Sequence, residues 1–300
     1  MVGIPEGSFV IFTGPPKVGK TSLALDFAST AQRKENSGKY APEGRRVFVY
    51  NIEGRLKPRD LKGIRGLLTT EDRLTVVESK PGNILSAEKY LSIGEQYITA
   101  IPGSIHIFDS FSALCTEAEY TAGMDKMQRA DGPKLLAKFC RKVANIIPVN
   151  KNIVIGITHI MGNPSGMGAE TKEKSGFGIA YACDVKLYGK YKEDWTVGSG
   201  ENQTLVGQKV HWQVITSAIG PPGAKLTSYL RYGEGIDKEQ ELLDIAISAN
   251  LVEQKGAWYN FSFMGEKAEK FQGAEKCRQA LVDNPDLMKK LEEEIKNLLC

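Results

Sequence analysis

The chain has 300 residues, of which 41% are hydrophobic and 25% charged. That is enough to bury a sizeable core in one large domain, or in one large and one small domain. No apolar run reaches the ~20 residues of a membrane span, and MVGIPEGSFV lacks the charged start and apolar stretch of a secretory signal. Five scattered cysteines with no CxxC pair, and three histidines away from metal-ligand spacing, exclude a disulfide framework or zinc knuckle and fit a reducing, cytoplasmic setting. Net charge is only +3, but residues 236–300 hold 9 Lys+Arg against 13 Asp+Glu, leaving 30 against 23 in the rest. A basic body with an acidic end suits a core that binds a polyanion, although solvated faces also produce such asymmetry.

In chain order, GSFVIFTG at 7–14 reads as a buried strand entering a glycine turn. TSLALDFASTAQRK at 21–34 has apolar residues at helical spacing, and strand RVFVYNIE follows at 46–53. A helical piece near 59–68, a strand at 74–77 and a helix at 86–100 lead to strand SIHIFDS at 104–110. A helix at 132–147 leads to strand NIVIGITHI at 152–160. This alternation predicts an α/β fold with a mostly parallel sheet and helices on both faces. Residues 161–178 have no periodicity and five glycines, which reads as a long functional loop. ACDVKLYGKY, QKVHWQVIT and LTSYLRYG are close enough for antiparallel pairing at one sheet edge. Near 233–236 the pattern changes to helix KEQELLDIAISAN, a short WYNFSF strand and two helices, so a domain boundary is expected there. No internal repeat is visible.

Gly14, Pro15, Pro16, Lys17, Val18, Gly19, Lys20 and Thr21 fit G-x-x-x-x-G-K-[ST], with a strand before and a helix after. Glycines let the loop curl so that its N–H groups face a phosphate, and the helix N-terminus adds positive potential. Lys20 is expected to reach the β- and γ-phosphates, and the Thr21 hydroxyl to serve Mg²⁺. Ser22 completes the nucleotide-binding run. Asp109 ends the apolar strand 105–108 and is expected to hold Mg²⁺ through water. Glu53 ends strand 47–52; on local sequence it is either the base that deprotonates an attacking water or a solvent-facing loop acid. His159 ends the next apolar strand, placed to contact a γ-phosphate or to serve structurally.

These residues stand in the order and spacing of the RecA recombinase family. The resemblance covers nearly the whole chain, through IPEGSFVIFTGPPKVGKTSLAL, VFVYNIEG, IHIFDSFSAL, IVIGITHI, YGEGIDKEQELLDIA and LVEQKGAWYNF. YGEGI and KGAWY are distinctive of bacterial-type RecA, whereas His159, where bacterial members place glutamine, resembles phage recombinases. The resemblance implies a RecA-type P-loop ATPase core over 1–233 and a small C-terminal α/β domain over 234–300. It implies ATP and Mg²⁺ as cofactors, Glu53 and Lys20 as catalytic, and His159 as the switch coupling the γ-phosphate to the following loop. Tyr232 matches an aromatic packing near the adenine. Two loops, about 118–133 and 161–178, would face DNA. Lys126, Arg129, Lys172 and Lys174 would pair with phosphates; Met124, Met167 and Phe177 would wedge or stack against bases, with Gly176 in the second loop.

The implied function is an ATP-dependent recombinase that coats single-stranded DNA and pairs it with duplex DNA in recombination and repair. The alternatives are an accessory ATPase that modulates a full-length recombinase, and a P-loop ATPase with no DNA role. The chain begins at the strand before the phosphate loop, where the family carries a helix and strand that dock on the neighbouring subunit. The implied partners are therefore copies of itself, in a filament or ring, or a full-length recombinase, and no membrane. Val214, Ile215, Thr216 and Ser217 stand near where bacterial RecA carries its cross-interface lysines. Lys57 and Asp60 stand where the family has an acid and an aromatic near the adenine. The family's long acidic tail is missing.

Overall fold

The computed structural model describes residues 4–36, 38–123, 131–162, 171–173, 179, 182–198, 200–218, 220, 222–267 and 270–299. The first half alternates strand and helix: β1 (Phe9–Gly14), α1 (Lys20–Ala31), β2 (Val47–Asn51), α2 (Pro58–Lys62), β3 (Leu74–Val77), α3 (Ala87–Ala100) and β4 (Ile105–Asp109). Then come α4 (Glu117–Thr121), α5 (Gly132–Val143), α6 (Ile146–Asn150), β5 (Ile153–Gly162) and β6 (Thr171–Glu173). Strands β7 (Val185–Val197), β8 (Thr204–Ser217), β9 (Lys225–Arg231) and β10 (Gly235–Ile236) run along one edge. The chain ends with α7 (Lys238–Ser248), β11 (Val252–Lys255), β12 (Trp258–Phe261), β13 (Lys270–Gln272), α8 (Ala274–Asp283) and α9 (Pro285–Leu299).

One large sheet runs β10-β9-β8-β7-β1-β5-β4-β2-β3, with β6 pairing β5 off this path. Strands β7, β1, β5, β4, β2 and β3 are mutually parallel, and β7 to β10 pair antiparallel, as the patterning predicts. Alternate residues of each strand serve opposite faces. Phe9, Ile11, Phe48, Tyr50 and Phe108 pack under α3, α5 and α6. Val10, Phe12, Val49, Ile107 and Ile155 pack against Ala24, Leu25 and Ala28 of α1. Where the residues before α4 cross β5, Gly156 is required by space: a Cβ there would sit 2.1 Å from the Phe111 ring and 2.9 Å from Ile11.

Several elements differ from expectation. The helix near 59–68 is confined to Pro58–Lys62, because Pro58 starts it and Gly63 caps it. The helix at 132–147 breaks into α5 and α6. The stretch at 161–178 is not wholly a loop: β5 runs to Gly162, and β6 pairs back on it with Ile160 opposite Glu173 and Gly162 opposite Thr171. The WYNFSF strand is flanked by β11 and β13 in a second, three-stranded antiparallel sheet. Leu243, Phe261, Cys277, Leu281, Leu291 and Ile295 form a separate apolar cluster around that sheet.

Buried charges tie this C-terminal part to the large sheet. The Asp237 carboxylate caps α7 by accepting from Gln240 N (2.9 Å), and also accepts from Arg231 Nε (2.8 Å) and Arg278 Nε (2.7 Å). Lys238 on α7 pairs with Asp26 on α1 at 3.3 Å, and Glu239 takes Arg65 at 2.7 Å.

Candidate active site

Parallel register sets the site. Gly14 lies opposite His159, and Asn51 opposite Asp109, so the carboxyl ends of β1, β2, β4 and β5 reach one edge together. Crevices at this edge are where open α/β sheets bind ligands. A cleft of about 400 Å³ opens there. Residues 16–22 line it, together with Glu53, Asp109 and His159.

The loop after β1 turns into α1 through Gly19, which is left-handed at φ 89° and would strain any other residue. Lys20 is buried, and its ammonium donates to the carbonyls of Gly14 (2.9 Å) and Pro15 (2.7 Å). Burial pushes it down to about 8, with Asp109 and Glu53 pulling the other way. Thr21 Oγ1 donates to Asp109 Oδ2 at 2.8 Å. Burial holds the Asp109 carboxyl above the usual range, with the Thr21 hydrogen bond opposing.

Glu53 is held beside this pair by the backbone. The N–H groups of Ile52 and Glu53 both donate to the Asp109 carbonyl, at 2.8 and 3.1 Å. The turn that carries Glu53 is tied by Asn51, whose side chain donates to Leu56 O (3.2 Å) and accepts from Leu56 N (3.3 Å). Glu53 Oε1 accepts from Ser110 Oγ (2.7 Å) and meets His159 Nε2 at 2.5 Å. The His159 hydrogen bond is the main reason its carboxyl is drawn down to about 2. Glu53 is therefore ionised and able to accept a hydrogen bond across the neutral range. The His159 amide donates to Ser112 Oγ at 2.9 Å, and its Nδ1 is buried without a hydrogen-bond partner.

Lys20, Thr21, Glu53, Asp109 and His159 are thus brought together. The donor set fits a nucleotide and Mg²⁺. The lysine sits on carbonyls of the loop before α1, and a hydroxyl and a carboxylate meet at 2.8 Å. Mg²⁺ in such sites takes one or two protein oxygens and otherwise uses phosphate and water. No cluster of three or more His, Cys, Asp or Glu suited to a metal occurs among the described residues. Tyr232 lies outside the cleft lining and is 55% exposed. Asp60 lines the cleft, joined by Gln208 and Leu230 from the antiparallel strands and by Ile64. Sequence reading gave no signal for Gln208 and Leu230, which arrive through strand pairing, or for Ile64, just past α2. Met124, Lys126, Arg129, Met167, Lys174, Gly176 and Phe177 lie outside the described residues, as does the Lys172 side chain; the Lys172 backbone pairs with Met161.

Comparison with known sequences agrees with this geometry. An AAA domain model matches residues 3–129, and a RecA C-terminal domain model matches residues 240–299. Protein RecA of Thermotoga petrophila is 28% identical over 297 residues, covering 98% of this chain and 77% of its own length. Protein RecA of Acholeplasma laidlawii is 28% identical over 296 residues, 98% of this chain and 82% of its own.

The chain is similar to RecA proteins along nearly its whole length.

This likeness supports a P-loop ATPase core and implies nucleotide and Mg²⁺ use at family level. The Nitratiruptor RecA shows the same breadth, at 27% identity over 301 residues, 99% of this chain. Among the described residues, no helix of this RecA-like chain is long and apolar enough to cross a membrane.

Proposed function

We propose that this RecA-like chain is a DNA-dependent ATPase that coats single-stranded DNA and promotes homologous pairing and strand exchange with duplex DNA. One observation carries the reading. Glu53 Oε1 is shared between Ser110 and His159, next to the Thr21–Asp109 pair and the phosphate loop. In that arrangement Lys20 and the loop N–H groups bind the phosphates, and Thr21 and Asp109 would hold Mg²⁺, which would supply charge neutralisation there. Glu53 orients the attacking water and takes its proton. His159 lies on β5, which runs directly into the segment that returns as β6. A change at the γ-phosphate therefore has a short covalent route from His159 to the loop expected to hold DNA. Closing on ATP and opening on hydrolysis would be a population shift between two loop states.

The accessory reading, an ATPase that modulates a full-length recombinase, draws on one feature. Residues 212–217 of β8 carry no lysine or arginine, so the segment that would supply cations across a subunit interface is uncharged.

The test is ATP hydrolysis with and without single-stranded DNA at several salt concentrations, alongside Glu53→Gln. The recombinase reading expects strong stimulation by DNA and a steep loss of DNA binding with salt. Glu53→Gln should keep nucleotide binding and lose at least about a hundredfold in kcat. Nucleotide binding without DNA stimulation, from a species that stays small with ATP and DNA, would favour the accessory reading.

A further inference from the structure

The cleft continues past the Glu53–His159 pair. A second hollow of about 470 Å³ opens beyond it, and Pro16, Glu53, Arg55 and His159 border both spaces. Three of these have a place in the reading above, as phosphate loop, base and switch. Arg55 has none. Its side chain is 85% exposed, and its Nε lies 3.8 Å from Glu53 Oε2. An exposed ion pair at that distance contributes little to folding. The two Glu53 oxygens are used differently: Oε1 is engaged by Ser110 and His159, and Oε2 faces the arginine.

Hydrolysis of a phosphoanhydride gathers negative charge on the oxygens of the transferred phosphoryl group, and a guanidinium is well suited to meet it. Lys20, together with a metal held by Thr21 and Asp109, would serve the β- and γ-phosphates from the loop side. The far side of the γ-phosphoryl group, where the water attacks, faces Glu53. A water held by Glu53 lies one hydrogen bond from the carboxylate, and the phosphorus it attacks lies about 3–3.5 Å beyond. The arginine, already beside that carboxylate and projecting into both hollows, is within a side-chain rotation of the same place.

We propose that Arg55 is a catalytic residue of this chain: a cation supplied within the same subunit that donates to the γ-phosphoryl oxygens of a bound nucleoside triphosphate as it is hydrolysed. The proposal rests on the ATPase reading above. The water oxygen bonds to the γ-phosphorus, and its proton passes to Glu53. The bond from the γ-phosphorus to the bridging oxygen breaks, and the electron pair leaves with the diphosphate. Arg55 keeps its proton and its charge throughout, and Glu53 returns its proton to solvent. Arg55 thereby supplies, within one subunit, positive charge that the uncharged 212–217 segment of β8 does not.

The experiment compares wild type, Arg55→Ala and Arg55→Lys as full chains. It measures calorimetric affinities for Mg-ADP and Mg-ATPγS, ATP turnover, and the pH–rate profile. Arg55→Ala should keep ADP affinity, weaken ATPγS about tenfold, and lower kcat about a hundredfold to a thousandfold. Arg55→Lys should recover part of the ATPγS affinity and little of the rate, because an ammonium lacks the planar fork. An unchanged ratio of ATPγS to ADP affinity in Arg55→Ala overturns the proposal. That includes the case where only the acid limb of the pH–rate profile rises, which would make Arg55 a tuner of Glu53. If wild type binds nucleotide without turnover, the affinity ratio alone decides. If wild type binds neither nucleotide, the ATPase reading itself falls and takes the proposal with it.

Discussion

Burial among the loop carbonyls draws the Lys20 ammonium down to about 8, so part of its charge is lost just above neutral pH. Phosphates favour the charged form, so nucleotide binding raises this pKa and takes up a proton above pH 8. Affinity for ADP should therefore be flat below about pH 7 and fall by up to about tenfold per pH unit above 8. Calorimetry across pH 7–9.5 measures this, and the fall should vanish in Lys20→Arg, whose guanidinium stays charged. Residue chemistry also separates two strand histidines. His106 is fully buried in β4, between Tyr50 OH (3.0 Å) and Ser104 Oγ (2.8 Å), and burial draws it down to about 3. It is a satisfied core residue, whereas His159, at the carboxyl end of β5, meets Glu53. Position along the strand made that difference legible: Gly14, Glu53, Asp109 and His159 all stand at or just past the end of an apolar run. The Ser110 bridge and the Asn51 tie were not legible, because each depends on a partner brought in by folding.

At the scale of elements, β5 carries the most constraint. It sits between β1 and β4, is covered on both faces, and delivers His159. Gly156→Ala would force a methyl into the Phe111 ring and toward Ile11. Overpacking of this kind costs about 1–3 kcal/mol, and here the displaced Phe111 lies one residue from Ser112, which holds the His159 amide. Thermal melts should show the loss of stability, and turnover should fall further than stability alone explains. Gly156→Ser should be at least as damaging. Apolar runs and their punctuation located nearly every long element. Short strands such as β6, β10, β11 and β13 escaped, since a few residues carry no usable period and are strands only because a neighbour pairs with them.

For the whole molecule, the joint between the C-terminal part and the sheet carries the pH dependence of stability. Glu241 on α7 is raised to about 7, chiefly by burial, and one of its oxygens has no hydrogen-bond partner. Asp26 on α1 is raised for the same reason, with Lys238 opposing. A carboxyl whose folded pKa lies above its unfolded value costs stability as it ionises. For Glu241 the cost is absent below about pH 4.5, grows between 4.5 and 7, and is complete above 7. Glu53 has the opposite sign: its stabilisation is present above about 4.5 and is lost as pH falls through about 2. Glu241→Gln should thus gain on wild type between pH 5 and pH 8, by about 2 kcal/mol in urea unfolding. Equal gains at both pH values would show that Glu241 is not the group responsible.

By itself the sequence determined the α/β alternation, the phosphate loop and the acids and histidine that end the strands, because each is written in a few adjacent residues: a period, a glycine turn, a polar residue after an apolar run. Family-like segments extended that reading across most of the chain. Only the tertiary structure decided that Glu53 shares one oxygen with Ser110 and His159, that Gln208 and Leu230 close the cleft from the antiparallel edge, and that Arg55 borders both hollows. Those facts depend on strand order and register, which join Glu53 and His159 across 106 positions and Lys17 and Gln208 across 191. No local pattern encodes such a distance; packing both faces of one sheet does.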